Sequence, residues 1–427
     1  MTQIEFFDKT ALENVSACLT YAPERVIYVG DRVKTINKHI EKYSRVLSDR
    51  GCNIELIPKG YEKGSMESAV RVLTEIVETY DDCVFDITGG EEILNLALGI
   101  VYASHPEKNI QIHKLNLRNN MVYDCDKDGI CVYHDCPVLS VEENIRIYGG
   151  DVVYGDINSD DTYIWDLNED FLKDIDIIWN ICKEDVRYWN TVIGTLGAID
   201  SVGQVINEET LTTVAKINAA YAYLKRHKGN YVFAKDILDR LSKFGLITHF
   251  AEDDKEGTVT VSFKNGQVKK CLTKAGQALE MKMFVTLKKL RNKEGNLMYS
   301  DVVNGVNIDW DGEFHDEKTE NIYDTENEID VLAMHNVVPI FISCKNGKVS
   351  SEELYKLSTV AERFGGPYSK KVLIATSIPS TGENGKYLRQ RAKDMNIEII
   401  EETQDIDDTE LAKRLSELWK SKNVTHF

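Results

Sequence analysis

Long apolar runs are missing from this 427-residue sequence. The longest nearly apolar stretch, Ile93 to Ala103, falls well short of the roughly 20 residues that span a bilayer. The opening residues, MTQIEFFDK, also lack the basic-then-apolar order of a secretory signal. Both absences argue against a membrane role and predict a cytoplasmic chain. A disulfide framework is absent too: nine cysteines, an odd number, lie scattered without regular spacing, as expected for buried thiols in a reducing compartment. Positive charge is scarce. With 51 Lys and Arg against 70 Asp and Glu, the net charge is −19, which argues against a surface broadly coated for phosphate binding. Any contact with nucleic acid must therefore be local.

What is present is an ordinary globular composition, 42% hydrophobic and 28% charged, in a chain long enough for two or three domains. One window breaks the acidic trend. Between residues 264 and 293 stand Lys264, Lys269, Lys270, Lys274, Lys282, Lys288, Lys289, Arg291 and Lys293, with Glu280 the only acid. Such a run is either a solvated helix face or a local phosphate-binding surface, and the motif around it decides between them.

Residues 25–29 (RVIYV) read as a strand, and Ile36, Ile40, Tyr43 and Leu47 follow at helical spacing. The pattern recurs: a strand at 53–57, a helix after Ser65, a strand at 83–87 and a helix from Ile93. Alternation of this kind predicts a parallel, doubly wound α/β sheet, whose ligands sit at the carboxyl ends of strands. Gly30-Asp31-Arg32 and Asp86-Ile87-Thr88-Gly89-Gly90 fall there, and paired glycines before a helix suit a phosphate. Further on, Asp124, Asp126, Asp128 and Gly129 imitate an EF-hand loop, but Asp135 replaces the closing Glu and strand-like segments flank it, so a hairpin is expected. Cys125, Cys131, His134 and Cys136 are read as hairpin residues rather than a zinc site.

The Asp-Ile-Thr-Gly-Gly stretch resembles the ligand motif of CRISPR-associated Rossmann-fold (CARF) domains, with Gly30-Asp31-Arg32 where their first-strand loop lies. The resemblance implies a homodimer that binds a cyclic oligoadenylate, most often the tetramer, across its two-fold axis. Gly30, Asp31, Arg32, Asp86, Thr88, Gly89 and Gly90 would form that site. Glu91 and Glu92 stand where a Lys often follows the glycines, so backbone N–H groups and Arg32 are left to meet phosphate.

Residues 151–180 are acidic and poor in pattern, and 234–263 resemble a winged helix-turn-helix, read as a spacer because its wing tip is Glu252-Asp253-Asp254. From 276 onward the order is helix (GQALEMKMFVTLKKL), three strands (YSDVVNGVNI, NEIDVLAMH, VVPIFISCK), helix (351–364) and strand (KKVLIAT). This series resembles the PD-(D/E)xK, restriction-endonuclease-like core. Cleaving a phosphodiester calls for a hard cation held by oxygen ligands and a nearby positive charge. Glu280, Asp330 and Lys345 are the catalytic residues the resemblance implies, and Asp330, Glu280, Glu328 and the Cys344 carbonyl the metal ligands. Ser343 stands where the pattern usually has an acid, so the shell has one carboxylate fewer and Mn2+, ahead of Mg2+, is the metal to test first. Lys282, Lys288, Lys289 and Arg291 would then track the substrate backbone.

Together these features predict an α/β chain with a Rossmann-like CARF sensor over 1–150, a helical, winged-helix-like connector over 151–265 and a restriction-endonuclease-like domain over 266–427. The two resemblances jointly imply a type III CRISPR ancillary endonuclease, switched on by cyclic oligoadenylate and cutting single-stranded DNA and in some members RNA. Two other readings are a ligand-controlled transcription regulator using the winged helix, and a metal-free ribonuclease using Arg32 and His39.

Overall fold

A computed structural model describes residues 1–116, 121–125, 131–313, 326–378 and 383–419. The N-terminal sheet has seven strands: β1 (Thr2–Phe6), β2 (Arg25–Gly30), β3 (Glu55–Gly60), β4 (Cys83–Asp86), β5 (Gln111–Asn116), β6 (Met121–Cys125) and β7 (Cys131–Asp135). Their order is β3-β2-β1-β4-β5-β6-β7. The first five are parallel, joined by helices α1 (Ala11–Tyr21), α2 (Val33–Asp49), α3 (Met66–Thr79) and α4 (Glu92–Ser104). Strand β1 corrects the sequence reading, which began at residue 25. It lies between β2 and β4, and its polar Gln3 and Glu5 are buried because a parallel strand is covered on both faces. The hairpin expected near residue 128 is formed by β6 and β7. Asp126, Asp128 and Gly129 lie outside the described residues, as do the side chains of Cys125 and Cys131.

After α5 (Val141–Ile147), capped reciprocally by Ser140 and Glu143, comes β8 (Asp151–Val152). This two-residue strand pairs with a strand of the C-terminal sheet, so part of the stretch read as connector belongs to that sheet. The connector proper holds α6 (Glu169–Cys182) and α7 (Val186–Val202). It continues with an antiparallel sheet of β9 (Gln204–Asn207), β10 (Thr212–Lys216), β11 (Ile247–Asp253) and β12 (Thr258–Phe263), with α8 (Ile217–Arg226) and α9 (Lys235–Lys243) between.

Then follow α10 (Gly266–Thr273), α11 (Gln277–Lys289), β13 (Asp301–Asp309), β14 (Glu326–His335), β15 (Val338–Lys348), α12 (Ser351–Gly365), β16 (Lys370–Ser377), α13 (Glu383–Asp394), β17 (Ile397–Ile400) and α14 (Asp408–Leu415). The six-stranded sheet runs β17-β16-β15-β14-β13-β8. No helix among the described residues is long and apolar enough to cross a membrane.

The two large sheets share a core. One apolar cluster joins Leu12, Tyr43 and Leu47 of α1 and α2, Ile145 of α5, and Phe341, Leu357 and Phe364 of the C-terminal sheet and α12. Polar contacts reinforce it: Asn144 Nδ2 donates to the Phe364 carbonyl (2.8 Å), and Arg363 donates to the Tyr148 (2.6 Å) and Trp310 (3.0 Å) carbonyls. In the same interface the Tyr368 hydroxyl donates to Glu13 of α1.

Burial pushes the Glu13 carboxyl up to about 7, with Tyr368 opposing and Asp8 and Asp86 adding. Burial likewise lifts Asp86 to about 6. A carboxyl raised on folding stabilises the fold fully below its unfolded pKa, and that contribution is lost as pH rises through the folded value. Thermal stability is therefore expected to fall between about pH 5 and pH 8. Glu13→Gln, which keeps an acceptor for Tyr368, should flatten that fall when melting is followed by scanning fluorimetry; an unchanged slope would remove Glu13 from the account.

Candidate active site and ligand loops

Asp330, Ser343 and Lys345 meet because β14 and β15 run antiparallel, with Val331 opposite Ile342. The sequence reading put Asp330 and Lys345 at the carboxyl region of one sheet, and the register corrects this. Lys345 sits late in β15, while Asp330 sits in the first half of β14, brought opposite by the hairpin. Asp330 Oδ2 accepts from Ser343 Oγ (3.2 Å), the Cys344 N–H (2.6 Å) and Lys345 Nζ (3.3 Å). Oδ1 has no protein donor among the described residues. Ser343 thus donates to Asp330, where an acid would repel it. The N–H and C=O of a strand residue point to the same side, so the Cys344 carbonyl also faces the Asp330 side.

Lys345 has a second partner, Glu353 Oε2 at 3.2 Å, in the first turn of α12. Burial opposes its charge, but Asp330 and Glu353 outweigh burial and hold the ammonium above the ordinary lysine range. Glu280 enters from the first turn of α11. Withdrawal from water, then the charges of Asp330 and Glu328, hold its carboxyl well above the usual range, against Lys345 and Lys274. Glu328 lies on the open side of the cluster. Lost hydration first raises its carboxyl, Asp330 adds, and Lys274 opposes. Glu280, Glu328 and Asp330 thus each act on the others' charge.

Asn304 ties the pieces together. Its Nδ2 donates to the Asp330 carbonyl (2.9 Å), while its Oδ1 accepts from Trp165 Nε1 (3.0 Å) and Gln277 Nε2 (3.2 Å). Gln277 also donates to Glu280 Oε2 at 3.3 Å, so one amide links the helix carrying Glu280 to the strand carrying Asp330. Gly305, between the Asn304–Val331 and Val306–Ile329 pairs, adopts φ +59°, a left-handed conformation that suits glycine inside a strand. Asn304, Gln277 and Glu353 were missed in the sequence. Only Gln277, three residues before Glu280 on the same helix face, carried a readable signal.

The basic window does not form the expected groove. Lys264 pairs with Asp170 and Asp174, Lys269 with Asp200, and Lys274 with Asp160. Lys270 donates to the carbonyls of Ile157 and Ser159. Lys282, expected to touch substrate, is instead buried between Asp176 (3.1 Å) and Asp408 (3.0 Å). Lys288, Lys289 and Arg291 are exposed, but Lys288 lies eight residues beyond Glu280, roughly 12 Å along the helix axis.

At the N-terminal sheet, the loops after β2 and β4 flank the end of β1, at the carboxyl edge as expected. Arg32 is exposed there, and Asp31 lies 3.6 Å from both Arg32 and Lys63. Asp86 is corrected from ligand contact to loop support: its buried carboxylate accepts the Thr88 N–H at 2.7 Å. The Thr88 hydroxyl accepts the Leu115 N–H at 2.7 Å. Gly89 and Gly90 serve close packing against α1 and β1. A Cβ on Gly89 would lie 2.8 Å from Glu13 Oε2, and one on Gly90, at φ +86°, would lie 2.4 Å from Phe6 Cβ. His39 packs against the Phe7 ring (5.2 Å) with its Nδ1 on the Thr35 carbonyl (2.9 Å).

These features define a two-part chain, a Rossmann-like sheet with a loop-lined carboxyl edge and a sheet bearing a carboxylate–lysine cluster. The same fold runs through solved structures over nearly the full length. It is similar to protein VC1899 from Vibrio cholerae, at 15% identity, covering 98% of each chain with a TM-score of 0.71. It is also similar to Can2 from Sulfobacillus thermosulfidooxidans, solved in complex with cyclic tetra-adenylate, at 15% identity, covering 98% of this chain and 99% of that one with a TM-score of 0.63. No protein-family model matches the chain. No curated protein sequence matches it either.

Proposed function

We propose that this chain is a metal-dependent endonuclease of type III CRISPR defence, activated by a cyclic oligoadenylate and acting on single-stranded DNA or RNA as a homodimer. The observation that carries the reading is the Lys345–Asp330 contact at 3.3 Å, with Glu280 tied to the strand of Asp330 through Gln277 and Asn304. The fold shared with Can2 across almost the whole chain supports cyclic tetra-adenylate as the activator.

Among the described residues, no three Asp, Glu, His or Cys side chains stand close enough to cage an ion. The residues that would hold a hard cation are Asp330, Glu280 and Glu328, with the Cys344 carbonyl, all of them oxygen donors of the kind such a cation takes. A bound Mn2+ or Mg2+ would polarise the phosphoryl oxygen and acidify the attacking water. The chain's own residues do the rest. Lys345 places positive charge where the phosphorane builds up negative charge. Glu280, buried beside Asp330 and Glu328, is the carboxyl group placed to accept the proton of the attacking water. On the sensor side, Arg32 and Lys63 are exposed cations beside Asp31 that would meet phosphates of the ring.

The test is cleavage of labelled single-stranded DNA and RNA with Mn2+, with and without cyclic tetra-adenylate. Ligand-dependent cutting that EDTA abolishes is expected. Cutting that survives EDTA would favour chemistry at Arg32 and His39, and tight ligand-dependent binding to duplex without any cutting would favour a transcription regulator.

A further inference from the structure

A groove of about 820 Å³ opens between α7, the turn after α8 and the ends of β15 and β16. It begins one residue past Lys345, at Asn346-Gly347-Lys348, where the β15–β16 register shifts. The bulge is clasped by the connector: Asn346 Nδ2 donates to Asn190 Oδ1 at 3.0 Å, and Asn190 donates back to the Asn346 carbonyl.

Two properties distinguish this groove from the basic window. Lys183, Arg187, Lys228 and Lys348 line it, and none of the four has an acidic partner among the described residues. Of its two acids, Glu184 is held by Arg240 at 2.6 Å and Asp405 accepts from Gln404 at 2.6 Å. In a chain with net charge −19, these four cations line one groove without acidic partners among the described residues. The second property is a set of orphaned acceptors. Among the described residues, Asn346 Oδ1, Thr376 Oγ1 and Gln404 Oε1 are buried polar atoms without a hydrogen-bond partner, and Thr376 is 1% exposed. A buried polar group left unpaired is costly, so a hydrogen-bond donor brought to any of these atoms gains by it.

We propose that the groove is the substrate channel. The phosphates of a single strand run along Lys183, Arg187, Lys228 and Lys348, and amino or hydroxyl donors of base or sugar meet the three orphaned atoms. This rests on the nuclease reading. Single-stranded nucleic acid fits better than a small anion because four cations are spread along one groove, and a strand supplies both phosphates and donors.

The experiment is fluorescence anisotropy on the full chain in a Lys345→Ala background, so that the probe stays intact, with Mn2+ and cyclic tetra-adenylate present. Labelled strands of about 20 nucleotides, DNA and RNA in separate arms, are titrated at about 50 and 200 mM salt. Arg187→Glu/Lys228→Glu should weaken binding at least about tenfold and reduce the salt slope by about 1.4, the share of two phosphates. Thr376→Val should weaken binding about threefold or more without changing that slope, and more for RNA if a 2′-hydroxyl is its partner. Melting curves separate these effects from misfolding. Unchanged affinity in both variants, or loss confined to Lys289→Glu/Arg291→Glu, overturns the channel while leaving cleavage by the unaltered chain intact. Absence of both binding and cleavage in the unaltered chain overturns the nuclease reading, and the channel falls with it.

Discussion

Lys345→Ala is expected to slow strand cleavage by about 10²–10³-fold, measured in single turnover, while cyclic tetra-adenylate binding stays unchanged. The size follows from the position of the ammonium, 3.3 Å from Asp330 and 3.2 Å from Glu353, where it is oriented by two acids and still has a hydrogen to direct at substrate. The fold should tolerate the change, because Ser343 and the Cys344 N–H continue to hold Asp330. Lys345→Arg should recover little, since a planar guanidinium cannot take the place of a compact ammonium between two carboxylates. Full activity in Lys345→Ala would move the reaction away from this cluster.

The second large effect concerns the seam between the halves. Phe364→Ala should cost about 3–5 kcal/mol of stability, the range for deleting a buried aromatic side chain. The ring is fully buried, stacks edge-on against Trp310 at 5.6 Å, and closes over Gly150, where a Cβ would lie 2.5 Å from it. Because α1, α2 and α5 bury their apolar faces in the same cluster as α12, ligand binding and cleavage should be lost together on urea titration. A variant whose nuclease half unfolds while the sensor half stays folded would show that the cores are separate.

Much of the C-terminal half was legible because its strands are long and nearly continuous in apolar residues, as in VVPIFISCK. Asp330, Lys345 and Glu280 followed from that order. The omissions have physical reasons. Strand β1 interleaves Gln3 and Glu5 with Ile4 and Phe6, which reads as a half-exposed segment until parallel neighbours bury it on both sides. Strand β8 is two residues long and exists only through its pairing with β13. Lysine pairing is a tertiary property, so Lys282, buried between Asp176 and Asp408, looked the same in sequence as exposed Lys289. Lys183, Arg187, Lys228 and Lys348 show the reverse: scattered along the chain, they meet only when α7, the turn after α8 and β15 are assembled. Asp86 read as a ligand residue because loop supports and ligand contacts share the same short motif.

Helix α12 has a mechanical consequence. At its C-terminal end the chain turns into Tyr368, bonded to Glu13, and Glu13 lies against Gly89 of the ligand loop; near its start Glu353 grips Lys345. With 15 residues the helix is roughly 20 Å long, so a tilt of about 5° pivoting at the Tyr368 end would carry Glu353 nearly 2 Å sideways. That distance is enough to break a 3.2 Å ion pair. A shift of the Tyr368 end too small to rearrange the shared core is therefore enough to change the grip of Glu353 on Lys345.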